Sequence, residues 1–194
     1  MHGMLLRFRG IVSMLLLVAL AGCALSPPRP ERAMPRPARA AIAAYELSGR
    51  ISIRQGEHRY EANLWWRHDR PHDKILLTTP FGQGIAELSR DATGAHLLTS
   101  GRREFSGPDW QALSVKVFGF ALPLMSLPRW VLGDAPDGAT RDAAGRAQQF
   151  SDDGWRVTYR EYEGPGTDAL PQLIDLNRGD IAIRLKIDDW QMVR

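Results

Sequence analysis

Apolar residues recur at every second position through much of this chain, and this period constrains the fold more than any other feature of the sequence. Residues 47–54 read Leu-Ser-Gly-Arg-Ile-Ser-Ile-Arg, and residues 181–188 read Ile-Ala-Ile-Arg-Leu-Lys-Ile-Asp. In a strand, a period of two places the apolar side chains on one face and the polar side chains on the other. Shorter stretches at 60–67 and 155–160 repeat the pattern. The chain is therefore predicted to be mainly β, with about nine short antiparallel strands.

The period changes to three or four residues in the central segment 109–132. Trp110, Leu113 and Val117 follow this spacing, and a second run of the same kind begins after Pro123. Such spacing predicts two helices separated near the proline. Helices packed across an antiparallel sheet favour a curved sheet or a partly closed barrel with the helices on its open side. A barrel of this kind is either filled by side chains or keeps an apolar cavity.

The first 23 residues have the layout of an export signal. Arg7 and Arg9 precede an apolar run at 11–20, which ends in Leu-Ala-Gly-Cys at Cys23. This layout is typical of a secretory signal peptide, and the run is shorter than the roughly 20 apolar residues of a spanning helix. Leu-Ala-Gly-Cys is the lipobox pattern of bacterial lipoproteins, in which the cysteine thiol carries the lipid. We therefore predict a signal peptide over residues 1–22 and lipidation of Cys23; a plain signal peptide with an incidental cysteine is the alternative.

Cys23 is also the only cysteine in the chain, so an internal disulfide is impossible and the fold must depend on a packed core. Residues 1–22 hold two of the 25 basic residues and no acidic residue, so their removal lowers the formal charge from +3 to +1. A nearly neutral, exported chain does not match the basic class of nucleic-acid-binding proteins. No nucleic acid partner is expected.

Residues 23–40 are rich in proline and arginine, which predicts an extended tether. Its arginines either rest on anionic headgroups or are simply solvated. Ala24 follows the cysteine where aspartate would retain a bacterial lipoprotein in the inner membrane, and this resembles an outer-membrane address. Residues 38–45 are rich in helix formers and predict a short helix. The predicted organisation is a signal peptide (1–22), a lipidated cysteine with its tether (23–40) and a single domain (41–194).

No catalytic or metal-binding motif is recognisable. There is no Gly-x-Ser-x-Gly turn, and the Gly-x-Gly at 82–84 lacks the third glycine of a dinucleotide loop. His68 and His72 are four residues apart, but Pro71 between them prevents a zinc pair on one helical face. Segment 67–73 is interpreted as a solvated turn. We expect a protein that is not an enzyme and needs no cofactor and no metal.

One predicted hairpin has an unusual tip. Its strands, near 75–79 and 84–88, are joined by a turn that contains Phe81 between Pro80 and Gly82. Turns are usually polar because they face water. The Phe81 ring therefore either tucks into the core or is displayed to an apolar partner.

Short motifs follow one another in a fixed order between Tyr45 and Trp190. They are Tyr45-x-x-x-Gly49-Arg50, Leu64-Trp65-Trp66, Leu76-Leu77-Thr78-Thr79-Pro80-Phe81-Gly82, Leu127-x-x-Trp130-x-Leu132-Gly133, Gly154-Trp155-x-Val157-x-Tyr159 and Leu185-Lys186-Ile187-x-x-Trp190. In this order, and together with the lipobox, they resemble the LolB family of outer-membrane lipoproteins, which receive other lipoproteins from the periplasmic carrier LolA. The resemblance implies an incomplete antiparallel β-barrel, that is, a strongly curved sheet, with a helical lid over a hydrophobic cavity.

The resemblance also implies a function. The protein would be lipid-anchored in the outer membrane and face the periplasm. It would accept acylated lipoproteins from a LolA-like carrier and insert them into the inner leaflet. Client lipoproteins would bind through their acyl chains, and the protein would act as a monomer.

Site residues follow from the same resemblance. Phe81, with Pro80 and Gly82, matches a membrane insertion loop in which the family commonly has leucine. Alternation and resemblance together assign five residues to an acyl-chain cavity: Leu64, Trp66, Leu77, Trp130 and Trp155.

Two other hypotheses stay open. The first is a structural or assembly lipoprotein that docks a protein partner through the exposed hairpin. A filled interior would favour docking, whereas an apolar pocket would favour lipid handling. The second is a periplasmic hydrolase, for which the sequence offers no polar triad.

Overall fold

Residues 37–193 are described by a computed structural model, in which they form one antiparallel sheet with inserted helices. The strands are β1 (Ala44–Gln55), β2 (His58–Asp69), β3 (His72–Thr78), β4 (Gly84–Asp91), β5 (Gly94–Thr99), β6 (Glu104–Gly107), β7 (Thr140–Arg141), β8 (Ala147–Asp152), β9 (Trp155–Tyr162), β10 (Pro171–Arg178) and β11 (Ile181–Met192). The helices are α1 (Trp110–Phe118), α2 (Leu127–Trp130) and a 3-10 helix (Arg39–Ala41). The predicted signal peptide, Cys23 and tether residues 23–36 lie outside the described residues.

The strand order across the sheet is β6-β5-β4-β3-β2-β1-β11-β10-β9-β8-β7. Strands that are consecutive in the chain are neighbours in the sheet, except β6 and β7, which form its two edges, and the two halves join where β1 pairs with β11. The sheet is open and curved, with 54% of the described residues in strands and 10% in helices, which confirms the predicted mainly β class. Eleven strands replace the nine or so predicted for this region, partly because the two-residue β7 is too short to show any alternation.

One face of the sheet, here called the inner face, carries the core. Tyr45 and Leu47 of β1 are 0% and 1% exposed, and Ile187 of β11, next to them, is equally buried. Cross-strand pairing extends the apolar rows over β2 and β3, where Trp66 lies opposite Ile75. The other face, the outer face, is mainly polar. The period of two in the sequence thus corresponds to one buried and one solvated face.

The segment between β6 and β7 packs on the inner face. Helix α1 begins where the Asp109 carboxylate accepts a hydrogen bond from the N–H of Ala112 at 2.8 Å, and it ends at Gly119, whose φ is 80°. Helix α2 is held by two tyrosines of the sheet. Tyr45 donates its hydroxyl to the carbonyl of Pro128 at 3.3 Å, and Tyr159 donates to the carbonyl of Trp130 at 2.8 Å. Two helices therefore lie where the sequence predicted them.

The helix predicted at 38–45 is wrong for most of its length. Only Arg39–Ala41 is helical, as a single 3-10 turn, and β1 begins at Ala44. Tyr45 pairs with both His68 of β2 and Met192 of β11, and its ring is fully buried. Sheet pairing and burial of the ring outweigh the helix propensity of the alanines around it.

Gly49 occupies a position where no side chain fits. The register between β1 and β11 shifts at this residue, and a Cβ atom built on it would lie 2.0 Å from the carbonyl oxygen of Lys186. We expect Gly49→Ala to lower the free energy of unfolding by about 2 to 3 kcal/mol, because the two strands must separate to admit the methyl group. Urea denaturation of the mature chain measures this change.

Gly84 provides the control for that substitution. A Cβ atom on Gly84 would meet nothing within 4 Å. Gly84→Ala should therefore change the free energy of unfolding by less than about 0.5 kcal/mol. Equal stability losses in the two variants would contradict the steric explanation for Gly49.

Candidate functional site

The turn between β3 and β4, residues 79–83, is here called the Phe81 loop. The Phe81 side chain is 94% exposed, which is the largest exposure among the large hydrophobic residues of the described region. The loop itself is well hydrogen-bonded, since the N–H of Thr79 donates to the carbonyl of Gln83 at 2.8 Å. Gly82 has a φ of 81°, which glycine adopts without strain. A closed turn therefore presents the ring to solvent.

The base of the Phe81 loop is tied to β2. The side-chain amide of Asn63 donates to the carbonyl of Thr79 at 3.1 Å, and Asn63 lies opposite Thr78 in the sheet. Pro80, next to the aromatic ring, is exposed. These contacts fix the direction of the loop relative to the outer face of β2.

The five residues predicted for the cavity lie together in the apolar core. Leu64, Trp66, Trp130 and Trp155 are each no more than 6% exposed, and Leu77 is half-buried against them. Leu64 and Leu77 lie opposite each other on the inner face, and Trp130 is the last residue of α2. Two cavities of about 440 and 660 Å³ are present elsewhere, and neither is lined by any of the five residues. Their role in binding acyl chains stays a prediction.

The inner face is less well covered toward one end. Along β1, Tyr45 is fully buried, whereas Ile51 and Ile53 are only half-buried. Ala62 lies opposite Ile51 and is half-buried too, and the next row of the sheet contains Leu77, close to the Phe81 loop. We call these four residues the half-buried end of the inner face. They extend the apolar core toward the exposed ring.

Several apolar side chains of the helical segment that pack on the inner face are themselves only partly buried. Half-buried members of this set packed on the core are Phe120, Leu122, Leu124, Leu127 and Leu132. Met125 in the same segment is 58% exposed. Breaking the contacts of a half-buried side chain costs less free energy than breaking those of a fully buried one, because less apolar area becomes exposed to water.

A buried polar network at the β2–β3 hairpin was not foreseen. His68 and Asp73 are 4% and 3% exposed, so segment 67–73 is not simply the solvated turn that the sequence suggested. The Asp73 carboxylate accepts a hydrogen bond from the Trp66 indole at 3.0 Å and lies 2.7 Å from Nδ1 of His68. Arg90 completes the network with Nη2 at 2.6 Å from the second carboxylate oxygen. Asp73 belongs to the inner face, as its two-residue spacing from Ile75 indicates.

The network keeps the Asp73 carboxyl group ionised. Burial of the carboxyl opposes ionisation, but hydrogen bonds from His68, Trp66 and Arg90 outweigh this effect and lower the pKa of Asp73 below its ordinary value. Asp73 and Arg90 thus form a structural ion pair that stabilises the β2–β3 hairpin. The network packs against Tyr45, whose ring lies 5.1 Å from that of His68.

Neither a metal-binding cluster nor a membrane-spanning helix is present in residues 37–193. Within this range, no group of three or more histidine, cysteine, aspartate or glutamate residues is arranged to bind a metal ion. No helix of the same region is long and apolar enough to cross a bilayer.

Comparison with known proteins identifies the family. A family model described as outer membrane lipoprotein LolB matches residues 43–190. The outer-membrane lipoprotein LolB of Azoarcus sp. (strain BH72) is 38% identical over 178 residues, which cover 90% of this chain and 91% of that protein. The LolB of Thiobacillus denitrificans is 34% identical over 179 residues, which cover 89% of this chain and 92% of that protein.

Similar structures have also been solved. One is a LolA superfamily protein from Nitrosomonas europaea, which is 9% identical in sequence. The alignment covers 79% of this chain and 88% of that chain, with a TM-score of 0.47. The assignment itself depends on the family model and on the sequence relatives above. By both measures, this chain belongs to the LolB family of outer membrane lipoproteins.

Proposed function

We propose that this protein is a lipid-anchored outer-membrane receptor that accepts acylated lipoproteins from a LolA-like periplasmic carrier and inserts them into the inner leaflet. It acts as a monomer by binding and transfer, without catalysis and without a cofactor. The observation that carries this proposal is the Phe81 ring, which is 94% exposed at the tip of a closed turn. Its support is the LolB relatives, which are named outer-membrane lipoproteins.

The exposed ring suits insertion into a membrane. Aromatic rings are favoured at the boundary between headgroups and acyl chains. Full burial of a phenylalanine side chain gains about 1.5 to 3 kcal/mol relative to exposure in water. An exposed ring on a closed loop therefore gives the protein a local contact with the acceptor bilayer.

The apolar inner face suits the reception of acyl chains. Each CH₂ group moved out of water gains about 0.8 kcal/mol, so a chain passed between proteins must stay shielded. The half-buried end of the inner face offers apolar surface next to the Phe81 loop. Transfer without nucleotide hydrolysis follows if each successive site holds the chains more favourably.

The predicted anchor supports the same role. Lipidation of Cys23, with residues 23–40 as a tether, would hold the domain at the destination membrane. Such attachment raises the local concentration of acceptor lipid around the Phe81 loop.

A docking lipoprotein is the second candidate. It is favoured by the packed interior, because Trp66, Trp130 and Trp155 are buried in the core and line neither cavity. In that case the hairpin would bind a protein and the inner face would never contact lipid.

Crosslinking from two adjacent residues of β3 distinguishes these functions. Leu77 and Leu76 are both half-buried, but Leu77 belongs to the inner face and Leu76 to the outer face. With a photoreactive amino acid at position 77 and an acylated lipoprotein supplied on its carrier, we expect an adduct several-fold stronger than that from position 76. The readout is the yield of adduct on a gel.

A client without acyl chains should give no adduct from either position. Equal labelling from both positions, or no labelling from position 77 with a loaded carrier, would contradict acceptance on the inner face and favour docking.

A further inference from the structure

A groove of about 660 Å³, lined mostly by polar and charged residues, lies on the outer face of the sheet, across β2, β1, β11 and β10. Most of its lining residues lie on the face opposite the apolar inner face on which clients are proposed to bind, although Ile51 and Ala62 of the half-buried end also belong to the lining. Its cationic residues are Arg50, Arg54, Arg59, Arg184 and Lys186. Pro80 of the Phe81 loop forms part of the same lining. We call this feature the outer groove.

The outer groove has an excess of positive charge. Its five cations face only two acidic residues, Glu61 and Asp175. Glu61 is paired with Arg59 at 2.6 Å, and Asp175 is paired with Arg184 at 2.7 Å. The remaining positive charge therefore has no acidic neighbour within the groove.

Two cations of the groove lack ion pairs in the described part of the chain. Arg50 reaches Asp188 at 3.3 Å, outside the groove lining, whereas neither Arg54 nor Lys186 forms a salt bridge with any residue of 37–193. Both face a solvated concave surface, where an external anion has access to them.

The sheet register places like charges directly opposite each other in this groove. Arg50 lies opposite Lys186 across β1 and β11, and Arg54 lies opposite Arg59 across β1 and β2. Like charges in such positions destabilise a sheet. An anion bound between them would remove this repulsion, so the arrangement favours a negatively charged ligand.

The groove begins at the base of the Phe81 loop. Asn63, which holds Thr79 by a hydrogen bond, lies opposite Arg50 in the sheet. If the Phe81 ring enters the boundary between headgroups and acyl chains, the residues at the base of its loop lie at the level of the headgroups. That layer contains the phosphate groups of the lipids.

We propose that the outer groove binds the anionic headgroups of membrane phospholipids, with Arg54 and Lys186 as its free cations, and thereby orients the domain on the bilayer. This inference rests on the proposed function for the membrane contact of the loop. A membrane is favoured over an acidic protein surface because the groove is continuous with the Phe81 loop, which presents an apolar ring to solvent.

Vesicle binding tests this assignment. The mature chain (residues 23–194) carrying Cys23→Ala is used so that its own lipid does not contribute; every described strand lies within that range. Its partitioning is measured by co-sedimentation with vesicles of phosphatidylcholine alone and vesicles in which part of it is replaced by phosphatidylglycerol. We expect at least about tenfold tighter binding to the anionic vesicles, with the difference falling as salt is raised.

The decisive variant combines Arg54→Gln with Lys186→Gln. It should lower binding to anionic vesicles by about tenfold or more and leave binding to neutral vesicles unchanged. The matched control combines Arg67→Gln with Lys74→Gln, which removes the same charge from opposed cations of the outer face. Because Glu46 and Glu87 already neutralise these two residues, the control should change binding less than about twofold.

A third variant separates the groove from the loop. Phe81→Ala should weaken binding to both kinds of vesicle by the same factor and leave their ratio intact. An unchanged ratio in the Arg54/Lys186 variant would overturn the assignment of the groove. Loss of carrier binding by that variant, with normal vesicle binding, would also overturn it and identify a protein-docking surface. No effect of Phe81→Ala would count against the proposed insertion loop alone.

Discussion

Replacing Phe81 by glutamate is expected to reduce the delivery of lipoproteins into a bilayer by at least about tenfold while leaving uptake from the carrier intact. The exposed ring makes almost no contact within the protein, so its loss should change the free energy of unfolding by less than about 0.5 kcal/mol. A glutamate at the tip would forgo the burial of the ring in the membrane and would be repelled by anionic lipid. Only the step that contacts the bilayer should therefore be impaired.

Delivery is measured with the lipidated protein in vesicles, to which a labelled client is supplied on its carrier. Vesicle flotation then separates inserted client from client held by the receptor. Gln83→Glu is the matched control, because it adds the same charge to the same loop but keeps the ring. It should deliver nearly normally, and Phe81→Leu should do so as well, since leucine is also apolar.

Either of two results would count against the assigned role of Phe81. Normal delivery by Phe81→Glu would show that the ring is not needed for insertion. Loss of uptake from the carrier in the same variant would instead make the loop part of the carrier contact.

Alternation along the chain was sufficient to predict most of the sheet. Residues 47–54 and 181–188 each follow a period of two, and they form neighbouring strands whose apolar residues share the inner face. Their pairing joins parts of the chain more than 120 residues apart, for example Ile51 with Leu185. A local pattern reports which face of a strand is buried, but not which strand it meets.

Details that depend on that pairing were therefore missed. Asp73 is two residues from Ile75 and therefore lies on the same inner face of the sheet. The sequence alone does not reveal that His68, Trp66 and Arg90 converge on its carboxylate. Similarly, the like charges of Arg50 and Lys186 lie opposite each other in the outer groove, which only the register of β1 against β11 reveals.

Side-chain volume limited the prediction of the interior. Four of the five predicted cavity residues are buried: Leu64, Trp66 and Trp155 on the inner face of the sheet, and Trp130 in the helical segment that packs on it. Whether such a face encloses space or is filled depends on how side chains from elements far apart in sequence fit together. The sequence left two alternatives for the Phe81 ring, burial in the core or exposure to solvent. The closed geometry of the turn, which the sequence alone does not show, decides between them.

The Asp73 network leads to the largest expected effect on stability. Asp73→Asn should lower the free energy of unfolding by about 3 kcal/mol, because the partly buried Arg90 loses its charged partner and the buried hydrogen bonds to the carboxylate are disturbed. The Asp73 side chain is 1% exposed and that of Arg90 is 20% exposed, so water can compensate little. Asp188→Asn is the control, since Asp188 is 45% exposed and forms one 3.3 Å contact with Arg50. It should cost less than about 0.5 kcal/mol.

The pH dependence of this loss has a definite sign. Because the folded protein lowers the pKa of Asp73 below its unfolded value, the stability that the carboxylate contributes is fully present above about pH 4 and is lost as the pH falls through the lowered pKa. Protonated aspartate resembles asparagine in shape and charge, so the wild-type and Asp73→Asn chains should converge in stability in acid. Urea denaturation of both chains at a series of pH values measures the difference. A difference that stays constant from neutral pH into acid would mean that the Asp73 charge does not stabilise the hairpin.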